Sequence, residues 1–219
     1  MPRLSSPTPN DGTRPLPSSD VAFTSTVKAI QLEKGSRRAY ARQEENGGWP
    51  DRITPDLAAF LARQTSVFLA TTNAQGQPYI QHRGGPAGFL KVVDDRTIGF
   101  ADYSGNRQYV TLGNLRDNPK AHLFLIDYAT RQRIKIWGTA EAVEDDAALT
   151  RRLMPKGYAA RPERVILFRI TAFDVNCPKH IPQRFEAGDV TAVLAERDAM
   201  IKALKEEVSR LQSLVGVSR

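Results

Sequence analysis

The sequence predicts a mainly β protein, a small antiparallel barrel of six or seven strands with helices before it and one amphipathic helix after it. Three observations predict this. Between residues 66 and 176 the chain breaks into short runs rich in β-branched and aromatic residues, punctuated by turn formers. The connections between most runs are too short for the crossover helices that parallel strands require. Toward the C-terminus the texture changes to apolar residues spaced alternately by four and three.

In chain order, residues 1–20 carry five prolines among Ser and Thr, with no apolar stretch suited to a signal peptide. They are expected to form a disordered arm. Residues 21–54 form a helical segment: Val27, Ile30, Gln31 and Lys34, then Arg38 and Arg42, recur at helical intervals, and Gly35-Ser36 separates two short helices. Gly47-Gly48-Trp49-Pro50 ends that segment. Thr54-Pro55-Asp56 then supplies a hydroxyl N-cap, a proline in the first turn and an acid near the positive helix end, with Leu57, Phe60 and Leu61 as the buried face.

Strands are expected at 66–72, 79–83, 89–93, 97–102, 121–127, 133–143 and 165–176. Asn73-Ala74-Gln75-Gly76-Gln77 and Asp94-Asp95 have hairpin composition. Two interruptions read as helices, 107–115 before Asn118-Pro119 and 146–153 before Pro155. The barrel domain therefore spans 55–187. In the C-terminal helix, 188–219, the residues Val190, Leu194, Arg197, Ile201, Leu204, Val208, Leu211 and Val215 trace a heptad seam with one polar break. Such a seam is covered either by the chain's own barrel or by a second copy of the helix.

A chain of 219 residues, 41% hydrophobic, builds one substantial core with appended helices. A single cysteine, Cys177, rules out an internal disulfide, and no Cys/His spacing suggests a metal site. No window approaches the length of an apolar membrane span, so the expected location is the cytoplasm. The net charge of +7 favours an anionic partner, but the basic residues are scattered and interrupted by acids, and no nucleic-acid-binding motif is present. Nucleic acid and membrane are not expected partners.

The segment with chemical content begins at Ser104-Gly105-Asn106-Arg107-Gln108, between a strand and an expected helix. Backbone N–H groups, Asn106 and the Arg107 guanidinium can converge there on an anion of phosphate size. An ordinary turn and cap has the same composition. The wider pattern resembles the pyridoxamine 5'-phosphate oxidase-like split-barrel family, in its flavin-nucleotide-binding branch. The resemblance runs through residues 88–102, Gly105-Asn106-Arg107, Asn114 to Asn118-Pro119, Arg131-Gln132-Arg133 and Gly138-Thr139-Ala140.

The resemblance implies a six- to seven-stranded antiparallel split β-barrel working as a homodimer, with flavin mononucleotide (FMN) in a groove between subunits. It implies that Asn106, Arg107 and Gln108 bind the phosphate, that Asp102 flanks the ribityl chain, that Arg83 and Lys91 face the isoalloxazine, and that Gln132 reaches the flavin from the second subunit. The chain departs from the better-known oxidases. Asn106-Arg107-Gln108 stands where they have Ser-Arg-Lys, Arg83-Gly84-Gly85-Pro86 interrupts the ring-binding strand, and their C-terminal substrate signature is missing. Pyridoxamine phosphate is therefore not the expected substrate.

In place of that signature stands the run 174–185, which holds Cys177, Lys179, His180 and Arg184 around two prolines. His180 is positioned in sequence to transfer a proton near neutral pH, and Lys179 and Arg184 to bind an anionic small molecule; a structural clamp is the competing reading. His82 is expected inside the barrel or at an interface, facing away from Gln81 and Arg83. His122 and Trp137 are expected in packing. The function this implies is an FMN-dependent oxidoreductase moving hydride through flavin N5 to or from a small substrate. The alternative is a flavin or haem carrier or sensor without turnover.

Overall fold

The structure, a computed structural model, describes residues 17–176 and 178–216 apart from the side chain of residue 215. Cys177 and most of the expected N-terminal arm lie outside the described residues. The chain divides into two compact units. The first comprises 17–125 and 134–176, and the second comprises 126–133 and 178–216.

The first unit opens with a single 3-10 turn, Ser18–Val21, so residues 18–20, expected within the disordered arm, are ordered instead. The cause is local: Ser19 is fully buried, and the Ser18 hydroxyl donates to the carbonyls of Gly47 and Trp49. Gly48 permits this approach, because its φ is +87° and a Cβ there would meet Ser18 and Ser19 atoms at 2.9 Å. Helices α1 (Ser25–Glu33) and α2 (Arg37–Glu45) follow, broken at Gly35-Ser36 as the sequence predicts. Helix α3 (Pro55–Arg63) is capped by the Thr54 hydroxyl, which accepts from the Leu57 N–H, and buries Leu57, Phe60 and Leu61.

Seven strands form one antiparallel sheet, ordered β2-β1-β5-β6-β7-β4-β3. They are β1 (Ser66–Thr72), β2 (Pro78–Gly84), β3 (Lys91–Val92), β4 (Thr97–Tyr103), β5 (Lys120–Asp127), β6 (Gln132–Val143) and β7 (Pro162–Asn176). Strands β2 and β3 are the two edges, so the sheet is not closed and the barrel is split. Helices α4 (Val110–Asp117) and α5 (Ala147–Leu153) interrupt it. The inward residues Val67, Leu69, Ile98, Phe100, Ile136 and Phe168 are essentially inaccessible and share one core with α3. Burying each such side chain contributes about 1.5–3 kcal/mol.

The strand expected at 89–93 shortens to two residues. Phe89 N–H donates to the Pro86 carbonyl at 3.0 Å, and Gly88 adopts φ +83°, the geometry of a turn with a left-handed third residue. Phe89 and Leu90 are apolar because they enter the core from this turn, not because they continue a strand.

The N-terminal helical segment is fastened to β6 by stacked rings. Phe23 lies 4.9 Å from Trp49, Trp49 stacks on Trp137 at 4.8 Å, and His122 meets Trp137 edge-on at 4.8 Å. Lys135, paired with Asp174 at 3.2 Å, lies over both indoles. Burial, with the Lys135 charge nearby, lowers the His122 pKa to about 4. Both residues fulfil the packing role expected of them. His82 does not lie in the barrel interior: it is exposed and bonds the Ser66 hydroxyl at 2.9 Å.

The second unit joins the hairpin tip between β5 and β6 to the segment that follows β7. Gln183 Nε2 donates to the Ala129 carbonyl at 2.9 Å, and the Arg184 guanidinium lies 4.8 Å from the Tyr128 ring centre. Beyond it, helix α6 (Ala187–Val215) is continuous through the predicted heptads.

Two measurements test this packing. At Gly138 a Cβ would stand 2.1 Å from the Arg169 carbonyl on the neighbouring strand, so Gly138→Ala is expected to lower stability by about 1–3 kcal/mol through overpacking, read as a shifted urea midpoint. The His122 contribution has a defined pH window. The folded-state pKa lies below the ordinary value of 6.5, so the unfolded chain binds the extra proton between pH 6.5 and about 4. Stability is therefore fully present above pH 6.5 and declines as pH falls toward 4; His122→Gln is expected to flatten that part of the curve.

Candidate functional site

Strand alternation on β2 turns Tyr79, Gln81 and Arg83 to one face and Ile80 and His82 to the other. The first set lines a cavity of about 190 Å³, together with Asp102 and Tyr103 at the end of β4, the loop from Gly105 to Tyr109, and Glu163 and Arg164 on β7. Three arginines and two acids line it. Five sequence-predicted site residues therefore meet in one place: Arg83, Asp102, Asn106, Arg107 and Gln108.

Asp102 is the centre of the charged network. It is buried at 5% exposure, and its two carboxylate oxygens each face a guanidinium, Arg83 at 3.2 Å and Arg164 at 3.2 Å. Arg83 also donates to the Thr111 hydroxyl at 3.3 Å, and Arg164 bonds Glu144 at 3.2 Å and Glu163 at 3.0 Å. The strand register explains the pairing, because Asp102 lies directly opposite Arg164 across β4 and β7. Arg164 then lies 5.3 Å from the Tyr109 ring centre, fixing one wall.

The loop departs from the sequence expectation. Helix α4 begins at Val110, not at Arg107, because Arg107 (φ +60°) and Tyr109 (φ +56°) both occupy the left-handed region. Two non-glycine residues held there store strain, and such strain collects at functional sites. The conformation is supported from within: Asn106 Oδ1 accepts from the Gln108 N–H at 3.2 Å, and Arg107 Nε donates to the Tyr109 hydroxyl at 2.9 Å. Arg107 is exposed at the cavity rim and, among the described residues, forms no ion pair. The far side of α4 is pinned by Asn114, which donates to Thr71 at 3.0 Å, and by Asn118, which donates to Thr72 at 2.7 Å. The Asn-Pro and Gly-Thr-Ala elements are joined as well, since Ala140 N–H donates to the Pro119 carbonyl at 2.8 Å.

Among the described residues, two buried polar atoms of cavity-lining side chains have no hydrogen-bond partner, Arg83 Nε and the Tyr103 hydroxyl. Burial raises the Tyr103 pKa, with Tyr158 contributing, so the group is a neutral donor. Unsatisfied buried donors beside an unpaired arginine fit an acceptor-rich anion, and a phosphate ester suits this donor set.

Lys91 is not brought to this cavity. Its ammonium donates to the carbonyls of Arg152 at 2.8 Å and Met154 at 3.0 Å, where it caps the C-terminal end of α5. Gln132, at the start of β6, and Lys179, His180 and Arg184 belong to the second unit. There Lys179 and His180 are exposed, and His180 has φ +64°. Arg164 and Glu163 are cavity residues the sequence reading missed. The available signal was Arg164 itself, a cation directly before the apolar run Val165-Ile166-Leu167-Phe168. Among the described residues there is no cluster of metal-ligating side chains, and no helix is long and apolar enough to cross a membrane.

Comparison with known proteins follows the same lines. Among solved structures, the chain is similar to HupZ of Group A Streptococcus, 20% identical with a TM-score of 0.46 over 61% of this chain and 99% of that one. It is similar also to an FMN-binding protein from Syntrophomonas wolfei subsp. wolfei, 16% identical with a TM-score of 0.42 over 71% and 98% of the two chains. A third is HutZ, the heme storage protein from Vibrio cholerae, 19% identical with a TM-score of 0.37 over 57% and 94%. No curated protein sequence matches. The family profile described as pyridoxamine 5'-phosphate oxidase matches residues 53–177, which hold every strand of the sheet and the whole cavity, and the chain belongs to that family.

Proposed function

We propose that the chain binds FMN with its phosphate at the 104–109 loop and serves as an oxidoreductase acting on a small molecule. The observation that carries this reading is the exposed Arg107 guanidinium, without an ion pair among the described residues, in a cavity with two buried donors that have no hydrogen-bond partner among them, on a loop held in a strained conformation. Asn106 and Gln108 add side-chain amides, and the backbone N–H groups of the loop add further donors. Asp102 acts as a positioning residue, holding the Arg83 guanidinium toward the cavity. Arg83 then offsets negative charge on the flavin side of the site. Bound FMN would supply hydride transfer through N5, while the protein orients the reactants and excludes water.

The reading includes a homodimer. A cavity of about 190 Å³ is smaller than the pockets that enclose whole cofactors, and a second subunit contributing Gln132 would complete it. His180 would move the proton that accompanies hydride transfer, with Lys179 and Arg184 holding an anionic substrate.

Titration of the purified protein with FMN, deazaflavin and haem, followed by absorbance and fluorescence, tests the ligand. Saturable FMN binding at one per subunit is expected; indifference to FMN would sink the proposal. Arg107→Ala is expected to weaken FMN binding about tenfold to a hundredfold, the loss of a charge-assisted contact, with little change in thermal stability because the residue is exposed. For turnover, His180→Ala is expected to lower kcat and shift the acid limb of its pH profile while leaving FMN affinity unchanged. Flavin binding without reduction by nicotinamide cofactors or any small substrate tested would favour a carrier or sensor instead.

A further inference from the structure

Helix α6 presents apolar residues to solvent along its length. Val190, Leu194, Ile201, Leu204, Val208 and Leu211 are between 44% and 60% exposed, and all occupy core positions of the heptad seam. At the start of the helix, Phe185, Val190, Val193 and Leu194 line an apolar groove of about 310 Å³. A row of large aliphatic side chains at heptad spacing is the surface of a helix whose partner is another helix.

Charge and register identify that partner. If two copies of α6 lay parallel and in register, each seam residue would face its own counterpart. Arg197 would then oppose Arg197 in the core, and the flanking contacts would pair Val193 with Asp198, Met200 with Lys205 and Glu207 with Gln212, none of them opposite in charge. An antiparallel pairing about a two-fold axis between residues 202 and 203 removes the conflict. Leu194 meets Leu211 of the second copy, Ile201 meets Leu204, and Arg197 meets Val208 with Glu207 alongside. Asp198 flanks Lys205 of the second copy, and symmetry makes that opposite-charge contact twice. On the other flank Val193 meets Leu214, whose side chain is 69% exposed, so the apolar groove receives the far end of the second helix. We propose that α6 pairs with α6 of a second copy as an antiparallel coiled coil in this register, because the seam is complementary to its own reverse. The pairing is independent of the flavin reading.

Engineered cysteines in the full-length chain, with Cys177→Ser as background, test it. In the antiparallel pair, residues 194 and 211 of opposite copies adjoin, whereas like positions lie about 25 Å apart. Leu194→Cys and Leu211→Cys chains co-expressed are expected to form a disulfide-linked dimer under mild oxidation, at least ten times more than either variant alone. Circular dichroism on each variant confirms that the helix is retained. Cross-linking of each variant with itself would overturn the direction, and absence of cross-linking in all samples would overturn the pairing in favour of another cover for the seam. Adding Asp198→Lys is expected to lower the mixed yield severalfold, and adding Lys205→Asp with it to restore the yield. An unchanged yield in the single charge variant would overturn the register.

Discussion

A carboxylate buried at the end of β4 is the constraint on which the cavity depends. The Asp102 carboxylate is withdrawn from water, and among the described residues two guanidiniums at 3.2 Å, one on either side, compensate it. Such an arrangement contributes little net stability, yet leaving one member unpaired costs about 3–5 kcal/mol. It therefore acts as a specifier of geometry. Arg83 arrives from β2 and Arg164 from β7, strands that are far apart in the sheet order, so the carboxylate fixes the distance between two walls of the site. The bulge between Asp102 and Tyr103 lies at this point, where β4 leaves its ladder and the chain turns into the loop.

The loop depends on that anchor. Ser104 N–H donates to the Arg161 carbonyl at 2.9 Å, so the chain leaves β4 tied to the start of β7. At its other end α4 is fixed to β1 by Asn114 and Asn118. Between these fixed ends, left-handed Arg107 and Tyr109 are over-determined by their surroundings, the condition under which strained residues persist. The result is one cation that, among the described residues, has no direct ion pair, though Glu163 lies within its electrostatic reach, beside two that are paired directly with Asp102. On the proposed reading, Arg107 and the loop donors would hold the anion, while Arg83 and Arg164 brace the wall.

Much of the fold was legible because its signals are local. Thr54-Pro55-Asp56 starts α3 through a cap that needs no tertiary partner, and Gly35-Ser36 breaks α1 from α2 in the same way. Strand alternation correctly separated His82 from Gln81 and Arg83. The failures arise where backbone conformation or long-range register, not residue pattern, decides the outcome. Phe89 looks like a strand residue until the Pro86 turn directs it into the core, and Lys91 carries the expected charge but spends it on the carbonyls of Arg152 and Met154. The start of α4 was misplaced because no sequence rule predicts left-handed φ at an arginine and a tyrosine. Arg164 escaped notice because its significance lies in its register with Asp102, a pairing across 62 positions.

The same distinction bears on how the chain departs from the better-known members of its family. Gln108 stands where they carry a second loop cation, and Arg164 does not replace that charge, because Asp102, Glu144 and Glu163 surround it. The cavity holds three arginines, but its field toward an incoming anion is close to that of one. If the site binds the proposed phosphate, recognition would rest on directed hydrogen bonds from Asn106, Gln108 and the backbone more than on charge, and such bonds require a rigid frame to retain their direction. The network behind the loop, from the Asp102 cluster to the Asn114 and Asn118 anchors, supplies that rigidity. A weakly charged but tightly braced site of this kind would also discriminate by shape, because a misplaced phosphate would gain little from unscreened attraction and lose the geometry of every donor at once.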